Sequence, residues 1–230
     1  MRLELNKEGG LVGYIKGAGD EIPSGLKDMG YDVWEMKDEE VAQENLKKVD
    51  AVVLGVRALN TNNRIRHFMP DLLEYVKNGG TLICQYNNNS DLELDEDQIA
   101  PYPLSLSKFR VTEESTQVTI LKPDHPALNY PNKIDAGDFE GWIQERGLYF
   151  PDKWDPHFEA LLSCHDTGEP ALDGSLLVAN YGRGHYVYTG LSFFRELPEG
   201  VPGAYRLFAN LVSLGKGKKP ESINVKSKAK

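Results

Sequence analysis

The residues of this chain with groups able to do chemistry fall in four polar stretches. Arg57–Asn63 (RALNTNN) offers the guanidinium of Arg57 and the amide of Asn60. Tyr86–Asp91 (YNNNSD) offers the phenol of Tyr86 and the amide of Asn87, two residues after Cys84. Asp138–Phe150 (DFEGWIQERGLYF) sets the ring of Trp142 beside the amide of Gln144, the carboxylate of Glu145 and the guanidinium of Arg146. Ser192–Glu196 (SFFRE) adds a hydroxyl at Ser192 and a third guanidinium at Arg195. Sugars are bound by this combination, with apolar ring faces on aromatics and bidentate polar groups on hydroxyls. Trp142 and Phe150 could equally plug a core while Glu145 and Arg146 pair with neighbours, and both readings stand at this point.

Other groups carry less. Cys84 ends an apolar run, Thr81–Cys84, and a thiol inside a buried strand is inert packing. Cys84 and Cys164 have no CxxC or Cys/His spacing, so neither a zinc site nor a disulfide framework is expected. KGAGDE (residues 16–21) lacks the third glycine of a dinucleotide loop and the GK[ST] of a phosphate loop. The acidic run Asp91–Asp97 lacks the central glycine and alternating ligands of a calcium loop. No metal and no cofactor is expected. His125, between Asp124 and Pro126, suits a turn that it fixes by a backbone hydrogen bond; a ligand or base role is the alternative.

The elements that must position these stretches can be read in order. Leu11–Ile15 is a short apolar run of β-formers. Acids at Asp20 and Glu21 precede Pro23, which fits a helix from about Ile22 to Met29 stopped by Gly30. Tyr31–Met36 alternates as a strand does, Val41–Val49 is a short amphipathic helix, and Ala51–Val56 is a third strand. After the polar loop Arg57–Asn63, a helix from Arg64 to Val76 carries Pro70, where a kink or restart is expected. Asn78-Gly79-Gly80 ends it before Thr81–Cys84. This β-α-β-α-β-α-β order with short connections predicts a doubly wound, mainly parallel, flavodoxin-like α/β sheet. In such a sheet the loops at the carboxyl ends of the strands form the ligand site. Downstream, residues 105–121 read as one or two strands with a turn at Glu113–Thr116. Ser175–Tyr181 and His185–Leu191 form a hairpin around Gly182-Arg183-Gly184, and Gly203–Leu214 is the closing helix.

Charge and composition bound the partners. The net charge of −9 hides an asymmetry: residues 215–230 hold six lysines and one glutamate, which leaves residues 1–214 at −14. An acidic body argues against a nucleic-acid-binding face. The Lys-rich stretch 215–230 lacks aromatics and reads as a solvated, disordered tail, with residues 1–214 as one domain. No apolar run approaches the roughly 20 residues of a membrane span. The first residues, MRLELNKEGG, contain no apolar signal core, which leaves the compartment open.

The series DAVVLG, polar loop, helix, YVKNGGTLIC resembles the class I glutamine amidotransferase-like superfamily, and its ThuA-like branch in particular. Asn129–Phe150 (NYPNKIDAGDFEGWIQERGLYF) and Tyr181–Leu211 (YGRGHYVYTGLSFFRELPEGVPGAYRLFANL) resemble the domain at the C-terminus of large bacterial PIG-L (LmbE-like) deacetylases. The first resemblance implies a nucleophile elbow after the fourth strand. Matching the two glycines puts Tyr86 at that elbow and Cys84 two residues earlier, inside the strand. It also implies a late His-x-Glu; Glu196 is present here, but no histidine stands two before it. The implied Cys-His-Glu machinery is therefore incomplete. Two functions are compatible with these residues. One is a non-catalytic binding domain, carbohydrate-related, partnered by the deacetylase domain of a parent chain. The other is a hydrolase of carbohydrate or acyl-sugar substrates, with Glu145 and His125 or Glu196 as acid and base.

Overall fold

The computed structural model describes residues 4–216. In chain order the elements are β1 (Leu11–Ile15), α1 (Ile22–Asp28), β2 (Asp32–Glu35), α2 (Gln43–Leu46), β3 (Ala51–Leu54), α3 (Ala58–Thr61), α4 (Ile65–Lys77), β4 (Thr81–Gln85), β5 (Leu104–Val111), β6 (Thr119–Ile120), β7 (Gly147–Trp154), β8 (Phe158–Ala160), β9 (Leu162–Ser163), β10 (Leu176–Tyr181), β11 (Gly184–Thr189), α5 (Phe193–Glu196) and α6 (Pro202–Val212). Seven strands form one sheet in the order β2-β1-β3-β4-β11-β10-β8. The first five are mutually parallel, and β10 and β8 extend the edge antiparallel. This is the mixed α/β sheet that the alternation of elements predicts. Two further pairs, β5 with β7 and β6 with β9, stand outside it.

Side chains alternate across the sheet into two cores. On one face Val53, Ile83 and Val187 pack under α1 and α6. On the other, Val52, Leu54, Leu82, Cys84, Tyr186 and Tyr188 pack under α2 and α4. Helix α4 buries Ile65, Phe68, Met69, Leu72 and Val76, the i, i+3, i+4, i+7, i+11 stripe of a half-buried helix. It runs through Pro70 as a single helix, where the sequence predicted a kink or restart. Pro70 lies on the solvent face, so the Arg66 carbonyl that loses its intrahelical donor has access to water. Close backbone approach requires glycine at two places. A Cβ on Gly182, which has φ +60°, would collide with the Lys77 carbonyl, and one on Gly203 with the Asp138 carbonyl.

Other departures from the sequence reading are local. Arg57–Asn63 is not wholly a loop, because α3 occupies its centre. Gly147–Trp154, part of the polar-aromatic stretch, is strand β7; its partner β5 lies about 40 residues earlier, a contact that no local pattern announces. Gly215 and Lys216 are placed, with Lys216 Nζ 2.8 Å from Asp50 Oδ1; the rest of the Lys-rich stretch lies outside the described residues.

Cys84 is fully buried in the central strand, and burial pushes its thiol up to about 12. Thiolate is the reactive form, so alkylation of native Cys84 requires unfolding. Iodoacetamide labelling at pH 8 is expected to be negligible in buffer and to rise with the denaturant unfolding curve. Labelling of the native state at the rate of a free thiol would show that the strand opens locally.

Candidate functional site

The carboxyl ends of β1, β3, β4 and β11 lie along one edge of the sheet, and the loops that leave them meet there. The turn after β3 is the tightest. Arg57 follows Gly55-Val56 in the left-handed region, at φ 58°, and α3 begins at the next residue. Its amide donates to the Tyr86 carbonyl at 2.8 Å, and the Thr61 amide and hydroxyl both donate to its own carbonyl at 3.0 Å. A non-glycine residue pays a steric cost in this conformation and is held there by its surroundings. The strand–turn–helix unit therefore stands after β3. After β4, Tyr86–Asp95 runs on without a helix as far as a single turn at Glu96–Gln98.

The asparagines knit these loops together. Asn87, fully buried, accepts from the Leu59 amide at 2.9 Å through Oδ1 and donates to the Gln85 carbonyl at 2.8 Å through Nδ2. Its amide donates to the Tyr188 hydroxyl at 3.0 Å. Asn60 accepts from the Asn88 amide and donates to the Ser90 carbonyl, both at 2.9 Å. The capacity of both amides is used inside the protein.

Above this frame lies an aromatic and charged cluster. The rings of Tyr86 and Tyr149 stack at 6.0 Å with 10° between planes, and Phe194 tilts against Tyr86 at 5.2 Å. Arg195 donates through Nε to Glu145 Oε1 at 2.8 Å and lies over the Phe194 ring at 4.8 Å. The Tyr86 phenol is raised mainly by burial, against the opposing pull of Arg57 and Arg195. Arg57, Tyr86, Glu145 and Arg195 thus share one neighbourhood. Exposed Gln144 precedes Glu145, and its left-handed backbone, like that of Tyr149, adds to the strained residues around this edge.

Three other predicted residues point elsewhere. Trp142 is buried between Phe139 and Phe193 and donates to the Asp138 carbonyl at 2.9 Å. Arg146 is buried and donates to the carbonyls of Thr116 and Phe139. Both line a separate cleft of about 460 Å³, walled by Glu114–Val118 and Phe139–Gly141. Ser192 is fully buried beneath the edge. His125 Nδ1 accepts from the Ala127 amide at 3.1 Å, the turn-fixing bond foreseen for it. Its charged neighbours are Glu159, Lys122 and His185. His185 pairs with Thr81 at the amino end of β4, so His125 and Glu145 stand at opposite ends of the sheet.

Sequence reading missed Asp20 and Phe194 as site residues, and offered Tyr149 only as one aromatic face of Asp138–Phe150. Asp20 accepts from the Tyr14 hydroxyl at 2.7 Å and from the amides of Val56 at 2.8 Å and Ile22 at 3.1 Å, tying the ends of β1 and β3 together. Its position just past a strand end was the available signal. Tyr149 was hidden in an unrecognised strand.

Glu196 is the buried acid of this region, with no exposed surface. Its Oε2 accepts from the Ile143 amide at 3.1 Å. Ser192 Oγ lies 2.6 Å from the Glu145 carbonyl oxygen and 3.1 Å from Glu196 Oε1. A hydroxyl has one hydrogen, and the shorter contact, to an oxygen that only accepts, takes it. Glu196 Oε1 is the more distant of the two acceptors that this hydroxyl faces. Burial pushes this carboxyl up to about 7, partly offset by the Ile143 and Ser192 contacts and by Arg146 and Arg195. A folded-state value above the unfolded one means stability that is complete below pH 4.5 and declines as pH rises through 7. Glu196→Gln is expected to flatten that decline, on the order of 2 kcal/mol between pH 5 and 8. Parallel denaturant curves at the two pH values check it; equal pH dependence of both proteins would place Glu196 among ionised carboxylates.

No protein-family model matches the chain, and no curated protein sequence is detectably similar to it. Solved structures do match. A ThuA-like protein from Bacteroides uniformis superposes with a TM-score of 0.57 at 12% identity, covering 94% of this chain and 96% of its own. A cytoplasmic protein from Salmonella typhimurium gives 0.59 at 14% identity over 88% and 97%. A GMP synthase subunit protein from Thermoplasma acidophilum gives 0.56 at 9% identity over 92% and 96%. These identities speak to architecture, and the architecture is that of a ThuA-like, class I glutamine amidotransferase-like domain.

Proposed function

We propose that this is a non-catalytic binding domain of the amidotransferase-like fold, that its ligand is a carbohydrate, and that it serves a PIG-L type N-acyl sugar deacetylase as an accessory domain. The observation that carries the reading is the replacement of a nucleophile elbow by a stacked aromatic platform. The turn after β4 bears Tyr86 and no helix, the nearby thiol is sealed in the strand, and Tyr86, Tyr149 and Phe194 form a partly exposed aromatic group. Aromatic faces beside a carboxylate and two guanidinium groups are the chemistry of sugar recognition. The link to a deacetylase rests on the resemblance of Asn129–Phe150 and Tyr181–Leu211. Fold by itself confers no chemistry.

Calorimetric titration with N-acetylglucosamine and glucosamine tests the binding site. Tyr86→Ala is expected to weaken binding at least tenfold, about 1.4 kcal/mol. Glu140→Ala, on the exposed wall of the separate cleft, is expected to leave it unchanged. Loss in the Glu140 variant with Tyr86→Ala silent would move the site to the cleft. Absence of binding by both sugars would remove them as ligands.

A further inference from the structure

We infer that the carboxyl edge of the sheet holds an oxyanion, carboxylate or phosphate, on the guanidinium of Arg57, with Arg195 as the second cation. The inference deepens the binding reading above and rests on the same edge being its site.

Arg57 is the anomaly. Arg64, Arg195 and Arg206 face carboxylates, and Arg66, Arg146 and Arg183 donate to backbone carbonyls. Among the described residues, Arg57 and Arg110 alone of the arginines have no such partner. Arg110 is exposed, and water serves it. Arg57 is half-buried, and its Nε is buried without an acceptor. A buried donor of a permanent cation left unmatched is costly, so native proteins rarely leave one without a purpose. The terminal amino groups have no acceptor among the described residues either, and they can bond a carboxylate or phosphate.

The setting fits an incoming anion. The Arg57 backbone is clamped by its bond to Tyr86 and by Thr61, so the side chain departs from a fixed point. Arg195 uses only Nε on Glu145, which leaves its terminal amino groups free. Residues 1–214 carry −14, yet among the described residues no carboxylate stands within ion-pair distance of Arg57. In so acidic a body, an arginine kept clear of carboxylates at a strand end suits a negative group brought by a ligand. With the tyrosine pair alongside, the ligand class is a sugar that carries an acid group.

The test titrates the full chain with glucuronate, glucose 6-phosphate, acetate and N-acetylglucosamine, using the wild type, Arg57→Gln and Arg57→Lys, with thermal melts confirming that each variant folds. Saturable binding of glucuronate or glucose 6-phosphate is expected, weakened at least tenfold in Arg57→Gln and partly restored in Arg57→Lys; whichever of the two binds identifies the oxyanion. Arg57→Gln should weaken the acidic sugar far more than it weakens N-acetylglucosamine. If acetate binds as tightly as glucuronate, with the same dependence on Arg57, the oxyanion site stands and the carbohydrate reading falls. If N-acetylglucosamine binds and neither acidic sugar does, the carbohydrate reading stands and the oxyanion inference is overturned. Acidic-sugar binding indifferent to Arg57→Gln, or no binding of any anion, also overturns it.

Discussion

The arrangement depends on one pairing, the parallel register of β11 on β4. His185 stands opposite Thr81 and Thr189 opposite Gln85, partners separated by roughly 100 residues of chain. That pairing puts a late strand in the middle of the sheet, flanked by β4 and β10. It also fixes the course of the chain beyond the strand. Leu191–Glu196 leaves β11 at the same edge at which Tyr86 leaves β4, so Phe194 and Arg195 reach Tyr86. The chain between the two strands supplies β7, whose Gly147 bridges to Leu191 and whose Tyr149 completes the ring stack. A contact of such high sequence separation forms at an entropic cost that burial of both faces of β11, with Val187 enclosed on one side and Tyr186 and Tyr188 on the other, must offset.

The second constraint is electrostatic. The region where β4, β11 and the 138–150 segment meet contains Arg146, Glu145, Glu196 and Arg195 in or near the core. Their charges are met in different ways. Arg146 is satisfied by backbone carbonyls, Glu145 by Arg195, and Glu196 by the Ile143 amide and the Ser192 hydroxyl. Arg57 has no equivalent partner in the protein. Arg57 Nε and Gln85 Oε1 are the buried side-chain atoms left without a hydrogen-bond partner at this edge among the described residues.

Kinship of fold with amidotransferase-like proteins does not bring their reaction with it. An elbow needs a strand, a sharp turn and a helix whose amides face the nucleophile. Here that backbone geometry occurs after β3 and carries an arginine. After β4, where the resemblance places the nucleophile, asparagines and backbone bonds occupy the turn. This edge of the sheet presents cations and rings, and the shared fold assigns it no reaction.

The sequence by itself determined the parallel sheet, because alternating apolar runs, helix stops at Gly30 and Gly79-Gly80 and short connections admit few other arrangements. It also determined that Cys84 lies in a strand and that His125 fixes a turn, both local matters of spacing. It put forward Arg57, Tyr86, Glu145 and Arg195 for the edge at the strand ends only within a set of ten that also held Asn60, Asn87, Trp142, Gln144, Arg146 and Ser192. Only the tertiary structure decided which members of DFEGWIQERGLYF face that edge. Trp142 and Arg146 turn into the core and a separate cleft, whereas Glu145 and Tyr149 turn to the edge. The division arises from β7 pairing with β5 in a bulged register, which no periodicity within the segment encodes. Local pattern fixes which face of an element is apolar; long-range pairing fixes what each polar residue meets.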